Sequence, residues 1–174
     1  MIFIYILVGI IVLYLILSLI APKNYHVFRS IEIHKPLPEV FHFIKFLKNQ
    51  DYWSPWDHKD PDIKKVYRGE DGQVGFVSSW KGNKQVGEGE QEITGIFEND
   101  RIESQLRFLK PWKSESDAYI KVEKLSPETT KVTWGFSGVN KPPGNVFMLF
   151  FNMDKTVGKD FEEGLSALKK HLEK

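Results

Sequence analysis

The chain is 174 residues long and carries 24 basic against 23 acidic residues, a formal net charge of +1. Neutralising phosphates supplies most nucleic-acid affinity, so a chain this balanced, with no basic stripe, is not expected to bind DNA or RNA. It has no cysteine, which removes disulfides and thiolate metal sites and says nothing about compartment.

Met1 to Ala21 reads MIFIYILVGIIVLYLILSLIA, with no charge and Gly9 as its one weak helix former. About 20 helical residues rise about 30 Å, the hydrocarbon thickness of a bilayer. A cleavable signal would need a basic start, a shorter apolar core and a small-residue cleavage site. Here no Lys or Arg precedes the run and Pro22 follows it, so residues 1–21 are expected to be a transmembrane anchor. Lys23, Arg29 and Lys35 flank its C-terminal end, which places the rest of the chain on the cytoplasmic side by the positive-inside rule. Residues 22–25 form a short linker, and 26–174 fit one domain with its own core.

Residues 26–34 alternate as a strand, and Lys35-Pro36 ends it. Residues 37–47 then carry Val40, Phe41, Ile44 and Leu47 on one helical face, with Pro38 tolerated in the opening turn. The stretch 49–62 is aromatic, Pro-rich and irregular. Six strands follow, at 63–68, 74–81, 86–97, 101–109, 114–125 and 129–138, joined by short turns, of which Gly82-Asn83 carries a two-residue hairpin signal. Gly87, Gly89 and Gly95 predict bends in their strand. After Pro142-Pro143-Gly144, residues 145–173 repeat at threes and fours through Phe147, Phe150, Asp154, Val157, Phe161, Leu165, Leu168 and Leu172, one face of a long helix. Hairpins make the sheet antiparallel, and its apolar face needs the long helix as cover. The expected architecture is α+β: a curved seven-stranded antiparallel sheet wrapped around the C-terminal helix and preceded by one transmembrane helix.

This order, with R-S-I-E-I-H-K-P at 29–36, W-S-P-W at 53–56, W-K-G-N-K at 80–84, V-G-E-G-E at 86–90 and M-D-K-T-V-G-K-D-F-E-E-G-L at 153–165, resembles the START-like helix-grip superfamily (SRPBCC). Within it the chain is similar to the polyketide cyclase/dehydrase and lipid-transport group. The resemblance covers the domain after residue 26. It implies a fold that encloses lipids, sterols, isoprenoids or aromatic compounds, with catalysis in some members, and names no substrate.

Strand alternation puts Phe76 and Trp80 on one face, Leu106 and Phe108 on another, and Trp134 and Phe136 on a third, while Trp53, Trp56 and Trp112 sit on loops. Taken singly, each aromatic reads as ordinary core. Taken together, Trp56, Phe76, Trp80, Phe108, Trp112, Trp134, Phe136 and Phe150 read as the lining of a cavity between sheet and helix. Asp154 falls in the apolar stripe of the last helix, where a carboxylate needs a partner. It would either pair structurally, with the Trp80 or Trp134 N–H or with Asn83 or Lys84, or face a ligand as an orienting group or general base. Asp57-His58-Lys59-Asp60 reads as a solvated loop, and neither a metal site nor a cofactor is expected.

The leading expectation is a membrane-tethered domain that binds an apolar or amphipathic small molecule of the lipid or isoprenoid class. A cyclase or hydrolase using Asp154 with Tyr67, Tyr119 or His58 is the catalytic alternative. A protein-interaction module with a filled core is the third.

Overall fold

The computed structural model describes residues 2–174; Met1, the first residue of the predicted span, lies outside the described residues. Helix α1 (Ile2–Ile20) is long and apolar enough to cross a membrane, and only its C-terminal end is buried, at Ser18 and the following Ala21. Strand β1 (Asn24–Ile33) follows after three residues. It starts two residues earlier than the alternation predicts because Asn24 pairs with Val139 and the Asn140 N–H donates to the Lys23 carbonyl at 2.7 Å.

Helix α2 (Leu37–Ile44) is shorter than predicted and buries Val40, Phe41 and Ile44. The stretch expected to be irregular instead holds a 3-10 turn over Leu47–Tyr52 and the short helix α3 (Pro55–Lys59). Then come β2 (Lys64–Arg68), β3 (Val77–Lys81), β4 (Glu88–Phe97), β5 (Arg101–Lys110), β6 (Ser114–Ser126) and β7 (Thr129–Val139). All pairings are antiparallel in the order β1-β7-β6-β5-β4-β3-β2. Register shifts at Glu88/Gly89 and Ile93/Gly95 bend β4, as its glycines predicted.

At two further places the difference has a local cause. The β3–β4 turn is longer than two residues, running from Gly82 to Gly87. The Gly82 N–H donates to the Gly87 carbonyl at 2.8 Å, and the Gly87 N–H to the Asn83 carbonyl at 2.7 Å. Gly87 holds φ +72°, which a side chain would oppose, and a Cβ there would run into the Lys110 carbonyl. Helix α4 (Met153–Leu172) starts eight residues later than predicted, because Asn152 is extended and its side chain accepts the Lys155 N–H at 2.8 Å, a helix N-cap. The residues Gly144–Leu149 form a separate 3-10 turn, so Phe147 and Phe150 lie outside the long helix.

One core results. Helix α4 packs mainly on β1 and, to a lesser extent, on β7, presenting Phe161, Leu165 and Leu168. Val27, Ile33, Ile93, Ile102, Ile120 and Val132 from the sheet join Val40, Phe41 and Ile44 of α2 in the same cluster. Full burial of each such side chain contributes about 1.5–3 kcal/mol.

Candidate functional site

The space between α4 and the β1–β7 side of the sheet is occupied. Phe161 stacks on Trp134 with ring centroids 4.3 Å apart and meets Phe136 and Trp56 edge-on at 5.7 and 6.1 Å. Trp53, which is 1% exposed, meets Trp134 edge-on at 4.8 Å. Gly164 leaves room for this, since a Cβ there would sit 2.7 Å from the Trp134 ring. Trp56, Trp134 and Phe136, predicted as cavity walls, are therefore neighbours in packed aromatic core, and so is Phe76, stacked on Tyr67 at 5.9 Å. Two shallow depressions, around His26, Asp117 and Ser137 and around Arg101, Glu103 and Tyr119, open on the outer face of the sheet instead.

The concave face of β3–β6 is different. By register, Trp80, Gly89, Phe108 and Leu106 share the face of the core residues Ile93 and Ile102, yet Trp80, Leu106 and Phe108 are only half-buried. Trp80 and Phe108 stand edge-on at 5.9 Å outside the main cluster. Gly89 is required beneath them: a Cβ would lie 2.7 Å from the Arg107 carbonyl oxygen and inside the Trp80 indole. Polar groups are spaced along the same face. The Gln91 side-chain amide donates to Ser104 Oγ at 2.9 Å, and Tyr25 Oη bonds Ser116 Oγ at 2.7 Å. Trp80 Nε1 donates to the Val86 carbonyl at 3.4 Å. The arrangement is a half-open apolar trough with hydroxyl and amide groups along its floor.

Helix α3 is fastened at the rim of this trough. Lys59 Nζ donates to Asp160 of α4 at 2.7 Å. Asp60, buried, accepts the N–H groups of Asn83 at 2.6 Å and Asp62 at 3.1 Å, which pins the β3–β4 turn. Lys65 bridges Asp51 and Asp57, and Tyr67 Oη donates to Asp51 at 2.9 Å. Burial, followed by the Asp51 carboxylate, pushes the Tyr67 phenol up, so it remains a donor. Trp53 Nε1 and Gln50 Nε2 are buried donors with no acceptor among the described residues. Of the predicted acidic loop, Asp57 and Asp60 thus serve structure and His58 is exposed; among the described residues no three metal-ligating side chains come together.

Asp154 lies elsewhere. Its side chain is 63% exposed in the first turn of α4, ahead of the buried Gly158 and Phe161 on the same face, and faces Arg29 of β1. Arg29 Nη1 donates to Asp154 Oδ1 at 2.9 Å and to the Phe28 carbonyl at 2.8 Å. Nη2 donates to the Asp154 carbonyl at 3.1 Å and to Oδ2 at 3.2 Å, while Nε donates to Glu162 at 2.6 Å. Hydrogen bonding to Arg29 holds the Asp154 carboxyl below its ordinary range, and the two carboxylates raise the Arg29 guanidinium further. Asp154 is therefore half of a clamp between α4 and β1. It neither faces the trough nor pairs with Trp80, Trp134, Asn83 or Lys84, the partners expected from sequence. Trp112 and Phe150 are corrected in the same way: they are 79% and 81% exposed and line no interior. The trough's own polar groups, Tyr25, Gln91, Ser104 and Ser116, escaped the sequence reading. Their signal was a polar residue at the core-facing parity of its strand.

No protein-family model matches the chain. No curated protein matches it by sequence. Solved structures do resemble it. Norcoclaurine synthase from Thalictrum flavum superposes with a TM-score of 0.65 at 9% identity, over 88% of this chain and 96% of that one. The ZhuI aromatase/cyclase from Streptomyces sp. R1128 gives 0.60 at 12%, over 86% and 94%. A Nitrosospira multiformis protein gives 0.61 at 18%, over 85% and 96%. The chain therefore has the helix-grip fold, and at these identities the likeness reaches the fold alone.

Proposed function

We propose that this chain is a membrane-tethered binding protein for an apolar or amphipathic small molecule of the lipid or isoprenoid class. The ligand rests on the concave face of β3–β6 rather than between α4 and β7, where aromatic rings already pack. The observation that carries the reading is the half-buried set Trp80, Leu106 and Phe108, set on a floor that also carries Gln91, Ser104, Ser116 and Tyr25. A mostly apolar surface with a few placed polar groups is what small-molecule sites share. Helix α1 anchors the domain in the bilayer, which raises its effective concentration beside a ligand dissolved there. Norcoclaurine synthase, a similar fold, has been solved with dopamine and hydroxybenzaldehyde bound, which is consistent with small aromatic or apolar ligands in this architecture.

The test compares the full chain with its Phe108→Asp variant, both purified in the same mild detergent, by mass spectrometry of extracted small molecules. Lipid held by α1 alone stays in both samples. A compound present in the parent and lost from the variant, at unchanged melting temperature, is the expected result. Identical extracts, with no melting shift across a panel of lipids and isoprenoids, would refute the proposal.

A further inference from the structure

Strand register gathers one end of the sheet: the start of β1, the end of β7, the start of β6 and the end of β5 lie together. Helix α1 joins at that end, and so does the 3-10 turn Gly144–Leu149. Asn145, fully buried, donates from Nδ2 to the Ser18 carbonyl at 2.8 Å and the Ala21 carbonyl at 3.0 Å, satisfying acceptors that a helix end leaves free. Tyr14 Oη donates to the Pro143 carbonyl at 3.0 Å.

The depth of that last bond is informative. Tyr14 lies seven residues before Ala21, which at 1.5 Å per residue is about 10 Å along the helix axis. Helix α1 as a whole rises about 29 Å, no more than a bilayer's hydrocarbon layer needs, so none of it has slack to stand clear. A spanning α1 therefore draws Pro143 below the membrane surface. The adjoining side chains suit that position. Asn145 and Val146 turn inward against the helix, while Phe147, Leu149 and Phe150 turn outward, 58%, 42% and 81% exposed. At the same end, Leu109 at the close of β5 and Trp112 on the turn after it are 48% and 79% exposed. Five large apolar side chains left uncovered at one end exceed the scattered exposure ordinary for a soluble surface. Lys23, Lys110, Lys113 and Lys141, all exposed, flank them, as basic residues beside a membrane-facing patch do.

We infer that residues 143–150 and the Trp112 turn form a wedge seated in the headgroup and upper acyl layer of the bilayer that α1 crosses. The inference rests on the tethering half of the proposed function and deepens it. Trp80, Phe108 and Ser116 lie on the concave face at this same end, so the wedge sets the open trough against lipid. Ligand would pass between bilayer and trough without crossing water.

The chain holds no cysteine, so single cysteines can be placed cleanly. Full-length Trp112→Cys, Phe147→Cys and Phe150→Cys carry a nitroxide in phosphatidylcholine vesicles. Leu125→Cys, 50% exposed near the end of β6 at the opposite end of the sheet, is the reference. Power saturation compares collisions with oxygen, which concentrates in lipid, and with a water-soluble nickel chelate. At 112, 147 and 150 oxygen is expected to exceed nickel several-fold, and at 125 the order is expected to reverse. Labels at all three sites that read like 125, in a chain that resists carbonate extraction, overturn the wedge and leave the tether standing. A chain that carbonate strips from the vesicles removes the tether and the wedge together.

Discussion

Truncating Phe161 tests whether α4 is seated as described. Phe161 is 3% exposed and its ring touches three others, with Trp134 at 4.3 Å, Phe136 at 5.7 Å and Trp56 at 6.1 Å. Phe161→Ala removes the ring from a site whose walls are themselves rigid rings anchored on β7 and α3, so collapse is limited. Loss of a buried phenyl costs about 3–5 kcal/mol under those conditions. For a domain of this size each kcal/mol moves the melting temperature by about 2–4 °C, so a fall of about 10 °C is expected. Phe150→Ala removes the same ring from a side chain that is 81% exposed and should stay within about 0.5 kcal/mol of the parent. Both are read from near-ultraviolet circular dichroism melts of the full chain in detergent, where the aromatic cluster supplies the signal. Equal shifts in the two variants, or a Phe161→Ala fall of only a degree or two, would mean that α4 does not close on β7 as described.

Asp154→Asn should lower the melting temperature at neutral pH. Arg29 depresses the Asp154 carboxyl in the folded state, so the pair contributes fully above the unfolded value of about 4 and is lost as pH falls through the lower folded value. The gap between parent and variant should therefore close in acid melts below about pH 4; a gap that persists unchanged to the acid limit of folding would assign the effect to something other than this carboxylate. Ligand content should not change, because the side chain lies away from the trough. Asp60→Ala strands the Asn83 and Asp62 N–H groups and should cost about 1–3 kcal/mol in urea titration. An Asp60→Ala midpoint equal to the parent's would show that the β3–β4 turn is held by other means.

Much of this architecture was legible in the chain because period-two and period-three-to-four patterns report directly on which side chains must leave water. The seven strands, the antiparallel pairing of those joined by hairpins and the covering helix follow from that, whereas the placing of β1 beside β7 does not. Asp154 was misread because Phe147, Phe150, Asp154 and Val157 keep helical spacing straight through Asn152, and a capping asparagine carries no mark that distinguishes it from helix surface. Its partner had a mark of another kind. Arg29 occupies the core-facing parity between Val27 and Ile31, which demands a counter-charge, but the counter-charge is 125 residues away in sequence. Phe150 fits the helical spacing and Trp112 a loop at the strand ends, yet both are exposed, because neither pattern shows whether another element packs over the side chain. Gln91, Ser104 and Ser116 alternate correctly into the concave face, and the sequence shows nothing of the hydrogen bonds that make this tolerable.

The junction between helix and domain has a mechanical meaning. Three residues separate Ile20 from Asn24, and Tyr14 and Asn145 lock the helix end to the chain 129 and 127 residues on. A floppy leash would hold the domain near its surface and let it tumble. With α1 spanning a bilayer as proposed, a joint bonded in this way would prescribe attitude as well as distance, and every copy in the same sheet of lipid would point the same way.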